Sequence, residues 1–161
     1  MFIPLELYGH FLRHRVRAGD LLIAGLGDEN NHAGRACVAP DLGSAIVKGK
    51  CFCARINDSM ADSHYLALFL SSGLGAEAIG VEARGSTRTM INLEIVKAAT
   101  LPLPPLRRQR EIVGRFRLQA SQTDRLVGML SNQLNLLAEH RQALITAAVT
   151  GRIGVPGAAA S

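Results

Sequence analysis

From Arg107 to Thr150 the chain runs without a proline, and an apolar seam passes through it in alternating steps of three and four residues. The seam is Val113, Phe116, Ala120, Thr123, Val127, Leu130, Leu134, Leu137, Arg141, Leu144 and Ala148, broken only by Thr123 and Arg141. A repeat of ~3.5 residues held that long specifies a helix with one sticky stripe, which another helix must cover. At ~1.5 Å per residue this helix would be about 65 Å long, more than a small preceding domain can lie against. Val113, Phe116, Val127, Leu130, Leu134, Leu137 and Leu144 are therefore expected to bury against a partner helix. The competing arrangement is a bend at Gly128 that folds the helix back on its own domain.

Charge follows the same division. The excess of +5 sits between positions 107 and 152, where eight arginines and no lysine face Glu111, Asp124 and Glu139. Residues 1–106 balance ten basic against ten acidic side chains. Arginine pairs in a planar fork with phosphate or carboxylate. On charge alone, contact with nucleic acid or an acidic protein weighs evenly against a solvated helix face. Aromatic residues are only 4% of the chain and tryptophan is absent, which argues against a single-strand reader built on stacked rings.

The expected fold class is α+β: a small, mixed, strand-rich domain over 1–101, a stiff proline hinge over 102–106, one long coiled-coil-like helix over 107–152 and a flexible tail over 153–161. In the first part, Arg17-Ala18-Gly19-Asp20 is a turn leading into a buried strand at Leu21–Ala24. Further strands are expected at 35–39, 45–48, 51–56, 90–93 and 99–101. A helix is expected from Asp62 or Ser63 to about Gly73. Gly151 is a natural helix stop. No apolar run approaches the ~20 residues of a membrane span, and the start lacks signal-peptide character. Three cysteines, Cys37, Cys51 and Cys53, are no disulfide framework, so a reduced, cytoplasmic protein is expected.

Enzyme signatures are missing. No phosphate-cradling loop ends in Gly-Lys-Ser/Thr, and Gly25-x-Gly27 lacks its third glycine. Cys51-x-Cys53 with Cys37 and His32 lacks the second pair that a structural zinc site needs, so the cysteines read as small buried hydrophobes. Asp62 and His64 read as a helix cap rather than a catalytic pair. No catalytic residue, metal or cofactor is expected.

Two sets of residues carry a resemblance. The first is Leu103-Pro104-Pro105-Leu106-x-x-Gln109-x-x-Ile112-Val113, then Thr123-Asp124-x-Leu126, then Arg141-Gln142-Ala143-Leu144-Ile145-x-x-Ala148-Val149-Thr150-Gly151-x-Ile153. It resembles the conserved helical region of DNA-specificity subunits of type I restriction-modification systems. The second is Arg17-Ala18-Gly19-Asp20-Leu21-Leu22-Ile23, Gly34-Arg35-Ala36 and Gly85-Ser86-Thr87-Arg88-x-x-Ile91-Asn92. It is similar to the back part of that family's target-recognition domain.

The resemblance implies a non-catalytic protein that binds double-stranded DNA. It implies that the chemistry lies on partners: a methyltransferase subunit using S-adenosylmethionine and an ATP-driven restriction subunit. Family members carry two recognition domains, each followed by a helix, and the two helices pair antiparallel as a spacer between half-sites. This chain holds one such domain, without its front portion. Two copies, or this chain and another specificity subunit, are then expected to pair through the helix. The rival reading is a helix-mediated interaction module that binds partner subunits without reading DNA.

Within that frame Arg84, Ser86, Thr87 and Arg88 are expected to approach DNA, together with Asn30 and Asn31 beside His32. Arginine, asparagine and small hydroxyl residues are the side chains that bond base edges and phosphates. Lys48 and Arg35 are candidates for phosphate. On residue type alone, the same loops read as tight turns with solvated charges.

Overall fold

A computed structural model describes residues 4–47, 49–80 and 90–154. A short helix α1 (Leu5–His10) and a single 3₁₀ turn lead into β1 (Arg15–Val16), and β2 (Leu21–Ala24), β3 (Ala36–Val38), β4 (Ala45–Ile46) and β5 (Cys51–Ala54) follow. Helices α2 (Ser63–Leu70), α3 (Gly73–Ala78), α4 (Leu93–Ala98) and α5 (Leu106–Val149) complete a mixed α+β fold.

The central sheet has the order β3-β2-β5 and is antiparallel throughout. Leu22 pairs with Cys37 on one side and Cys53 on the other. A separate two-stranded ribbon joins β1 to β4. Successive side chains of a strand point to opposite faces. Leu21 and Ile23 therefore enter the core together, and both are almost fully buried. They pack with Tyr65, Leu66, Ala67 and Leu70 of α2, and with Ile79, Ile91 and Val113.

Capping side chains set the helix boundaries. Asp62 opens α2 by accepting the amides of His64 and Tyr65 at 2.9 and 3.0 Å. The helix stops at Leu70, earlier than the sequence suggests, because two serines intervene. Ser71 Oγ bonds both backbone groups of Ala36 on β3. Ser72 accepts the amide of Gly75 and starts α3.

The strands expected at 90–93 and 99–101 do not form. Met90 makes one isolated antiparallel bridge to Leu26. Asn92 then accepts the amide of Ile95 at 2.9 Å, and this cap converts the next six residues into α4. Residues 99–101 belong to no element. Strand β2 has the expected bounds, β3, β4 and β5 are shorter than expected, and α1, β1 and α3 had no counterpart in the sequence reading.

The chain divides into two units, Met1–Gly114 and Arg115–Ser161. Helix α5 contains 44 residues and continues through both Gly114 and Gly128. It starts where the Pro105 carbonyl accepts the amides of Arg108 and Gln109. It ends at Gly151, whose φ of 69° lets the chain turn left-handed. The amide of Arg152 then reaches back to the Ala147 carbonyl, and that of Gly151 to Ala148. This is the paired closing motif that glycine permits at a helix C-terminus.

Candidate nucleic-acid interface

The polar loop between β2 and β3 is built around Asp28. Its Oδ1 accepts the backbone amide of Asn30 at 3.0 Å and the side-chain amide of Asn31 at 2.9 Å. The Asp28 amide in turn donates to the Asn31 carbonyl. These hydrogen bonds, with that from the Asn31 side chain foremost, hold the Asp28 carboxyl below its ordinary pKa of 3.8. Asn30 and Asn31 are both exposed. Asn31 has one amide hydrogen committed to Asp28, while its oxygen makes no hydrogen bond among the described residues. Both side chains can offer an amide edge outward.

Arg35 closes this loop from its far end. Its Nη1 donates to the carbonyls of Leu26 and His32, each at 3.2 Å, and its Nη2 lies 3.9 Å from Asp28. One edge of the guanidinium thus braces the loop from within. Gly34 turns the chain at φ 91°, and a Cβ there would collide with Ile79. The Gly34-Arg35 pair therefore has a structural reason: a left-handed turn with no room for a side chain, then a cation that ties the loop ends. His32 Nδ1 sits 2.8 Å from the Ala33 carbonyl, and its buried Nε2 has no hydrogen-bond partner among the described residues.

Lys48, Arg84, Ser86, Thr87 and Arg88 lie outside the described residues. Met90, two positions past Arg88, bridges Leu26 at the start of the polar loop. The amide of Ile91 donates to Gly25 at 3.0 Å. Lys50 joins them, with Nζ 2.8 Å from Met90 Sδ. The Gly25–Arg35 loop and the segment that begins at Met90 are thus fastened side by side.

Gln109 is the residue whose role the sequence left unassigned. It is completely buried, one of only two buried residues of α5 with Val113. Its Oε1 accepts the Asp62 amide at 2.8 Å. Its Nε2 donates to the Pro104 carbonyl at 2.7 Å and reaches that of Met60 at 3.5 Å. Tyr65 adds a bond from its hydroxyl to the Pro102 carbonyl at 3.0 Å. The proline segment is tied to α2 at two points. A lone amide side chain one turn inside an apolar-periodic helix was the available signal.

A cleft of about 320 Å³ lies beside α2, lined by Asp58, Asp62, Ser63, His64 and Arg110 among others. Asp62 is spent there as the helix cap, as the sequence reading expected. Among the described residues no three His, Cys, Asp or Glu side chains are grouped to hold a metal ion.

The cysteines differ from expectation. Cys37 is exposed, and Cys51 and Cys53 are only half-buried. The register explains it: they flank Leu22 and Ala24, on the face of the sheet away from Leu21 and Ile23. Burial, helped by the nearby Asp20 carboxylate, pushes the Cys53 thiol up to about 11. Its Sγ is 3.4 Å from Asp20 Oδ2, and Asp20 also accepts the Arg17 amide and lies near Arg55.

Along the second unit the seam side chains are exposed. Phe116, Val127, Leu130, Leu134, Leu137 and Leu144 each leave about half or more of their surface open. Such a row of large apolar side chains is a surface to be covered.

Residues 19–135 match the model of the type I restriction modification DNA specificity domain. The chain belongs to that family. The match begins at the Gly19-Asp20 turn and runs past the middle of α5. A domain of this family is a non-catalytic recognition domain with a DNA-recognition role in type I restriction-modification. No curated protein matches the chain. Among the described residues no helix is long and apolar enough to cross a membrane.

Proposed function

We propose that the protein reads one DNA half-site for a type I restriction-modification complex that includes the restriction subunit, and docks the methyltransferase subunit through α5. The observation that carries this reading is the family match, which covers the strand-rich domain and the helix together. Val113, expected in the seam, is instead buried in the core of the strand-rich unit, because α5 begins against that core. Two copies pair through the rest of the seam, Phe116, Val127, Leu130, Leu134, Leu137 and Leu144, and so present two recognition domains from one kind of chain. The cellular site is the cytoplasm, where DNA and the partner subunits are.

The polar loop is suited to bases more than to phosphates. Asp28 and Glu29 put negative charge beside Asn30 and Asn31, which repels a phosphate but leaves the amide edges to bond adenine, while a carboxylate can accept from cytosine. Phosphate contact then falls to Arg84 and Arg88, with Ser86 and Thr87 between them, and to Lys48 and the outer edge of Arg35. The bridge between Met90 and Leu26 sets the segment that begins at Met90 beside the polar loop.

The test is the salt dependence of binding to short duplexes of mixed sequence. Each phosphate contact removed should flatten the slope of log K against log salt by about 1. Arg84→Ala with Arg88→Ala should therefore weaken binding and flatten the slope by about 2. An unchanged slope refutes the assignment of these arginines. A wild-type protein that self-associates but binds no duplex favours the interaction module without DNA reading.

A further inference from the structure

The even balance of charge over residues 1–106 conceals an uneven spread. No carboxylate occurs between Glu6 and Asp20, yet His10, Arg13, His14, Arg15 and Arg17 fall within eight positions, and all five are exposed. Other cations of this unit are answered inside the fold: Arg35 lies beside Asp28, Arg55 beside Asp20, and Arg107 and Arg108 beside Glu111. Among the described residues no carboxylate lies in ion-pair reach of Arg13, Arg15 or Arg17. Their backbone, by contrast, is held in place. The His14 amide donates to the Phe11 carbonyl at 2.8 Å, and the His14 carbonyl accepts from Val47 at 2.9 Å. Arg15 pairs with Ile46 across the β1–β4 ribbon. The Arg17 amide donates to Asp20 at 2.8 Å, and its carbonyl accepts the Asp20 amide at 3.1 Å. Val16 is buried, so strand alternation turns Arg15 and Arg17 outward together.

A fixed edge that carries three unanswered guanidiniums repels itself, and a dense line of negative charge removes that cost. Duplex DNA is such a line, with one phosphate per ~1.7 Å of its axis. The stretch that matches the DNA specificity domain begins at residue 19, in the turn that Arg17 opens. The patch is also distinct from the polar loop. Asp20 ties Arg17 to the Leu21–Ala54 end of the β2–β5 pair. The Gly25–Arg35 loop departs from the Ala24–Cys51 end, three strand steps or about 10 Å away.

We propose that Arg13, Arg15 and Arg17 form a phosphate-binding site for duplex DNA, separate from the loop that meets bases and indifferent to base sequence. The site rests on the DNA binding proposed above, and its test separates the two.

The experiment is binding of the full chain to short duplexes of several mixed sequences, measured from about 50 to 200 mM salt. Arg13→Ala, Arg15→Ala and Arg17→Ala together should weaken binding to every duplex alike. They should flatten the slope of log K against log salt by about 3, and each alone by about 1. The advantage of the wild type over the triple variant should then shrink about 40-fold across that range of salt. Replacing the same three arginines with Lys keeps the charge and should keep the slope. Joined to Arg84→Ala and Arg88→Ala, the losses should add to about 5, because the two sites are separate. A wild-type slope in the triple variant, or in all three single variants, overturns the site and leaves the DNA reading standing. A wild type that binds no duplex even at about 50 mM salt overturns both. Wild-type binding to phosphatidylserine vesicles or to poly-glutamate that the triple variant loses, with the DNA slope unchanged, overturns DNA as the occupant.

Discussion

Replacing Gln109 with Ala tests whether one side chain fastens the start of the long helix to the recognition domain. The wild-type amide is wholly buried and bonds the Asp62 amide at 2.8 Å and the Pro104 carbonyl at 2.7 Å. Truncation leaves both groups without a partner where water does not replace it. Each unpaired buried group costs about 1–3 kcal/mol, and the vacated volume adds to that. The third contact, 3.5 Å from Met60, is long enough to neglect. The expected loss is about 3–5 kcal/mol, a large part of the 5–15 kcal/mol that typically holds a domain together. Urea unfolding at one fixed protein concentration measures it, read by tyrosine fluorescence. Tyr8 and Tyr65 are the only tyrosines and there is no tryptophan, so the signal reports on this unit. Hydrogen exchange at the Asp62 amide locates the effect. Gln109→Glu separates hydrogen bonding from volume. A carboxylate still accepts from Asp62 but faces the Pro104 carbonyl with a second acceptor, so this variant should be destabilised despite its matched size. A loss below about 1 kcal/mol for Gln109→Ala, with exchange at Asp62 unchanged, would refute the reasoning.

Other outcomes follow from the same geometry. Gly34→Ala combines a left-handed φ of 91° with a collision at Ile79 and should cost about 2 kcal/mol or more in urea unfolding. Adding Ile79→Ala should not restore stability, because the backbone strain at position 34 persists and a cavity replaces the clash. Iodoacetamide should label exposed Cys37 first and Cys53 last at pH 8, scored by mass spectrometry of peptides. The folded-state value of about 11 for Cys53 lies above the ordinary 9.0, so the folded state holds the proton more tightly. The stability it contributes is complete below pH 9 and is lost as pH rises through 11. Asp20→Asn removes a carboxylate that raises Cys53, and should speed its labelling at pH 9. No acceleration would mean that burial alone protects the thiol.

Much of the fold was legible where one local rule decided the outcome. The seam specified α5, and Gly151 closed it because only a left-handed residue returns the Arg152 amide to Ala147. Asp62 acted as the cap that its position before an apolar run suggests. The sequence misled where a single polar side chain redirected an apolar stretch. Met90-Ile91-Asn92-Leu93 has strand composition, yet Asn92 captures the Ile95 amide and starts α4 at Leu93. Ser71 and Ser72 likewise end the expected helix at Leu70, and Ser72 caps α3, a helix the sequence reading did not contain. The cysteines were misjudged because strand alternation gives two faces, and only the burial of Leu21 and Ile23 tells which one is inside.

The candidate site shows a different kind of limit. Arg35 and Gln109 are polar residues that composition invites one to aim outward, at phosphate or at solvent. The structure turns one edge of Arg35 onto the carbonyls of its own loop and all of Gln109 onto α2 and the proline segment. A buried backbone group must find a partner, and a long polar side chain from a distant position can supply one when the local chain cannot. That demand is invisible in sequence because it depends on which backbone groups folding leaves unpaired. Both residues lie in the stretch that matches the family, residues 19–135. Gln109 stands at the passage from the proline segment into α5 and Arg35 just after the Gly34 turn, and each closes the joint at which it lies. Under the proposed function the clearest candidate to meet DNA is then Asn30, whose side chain is exposed in a loop that Asp28 and Arg35 already hold.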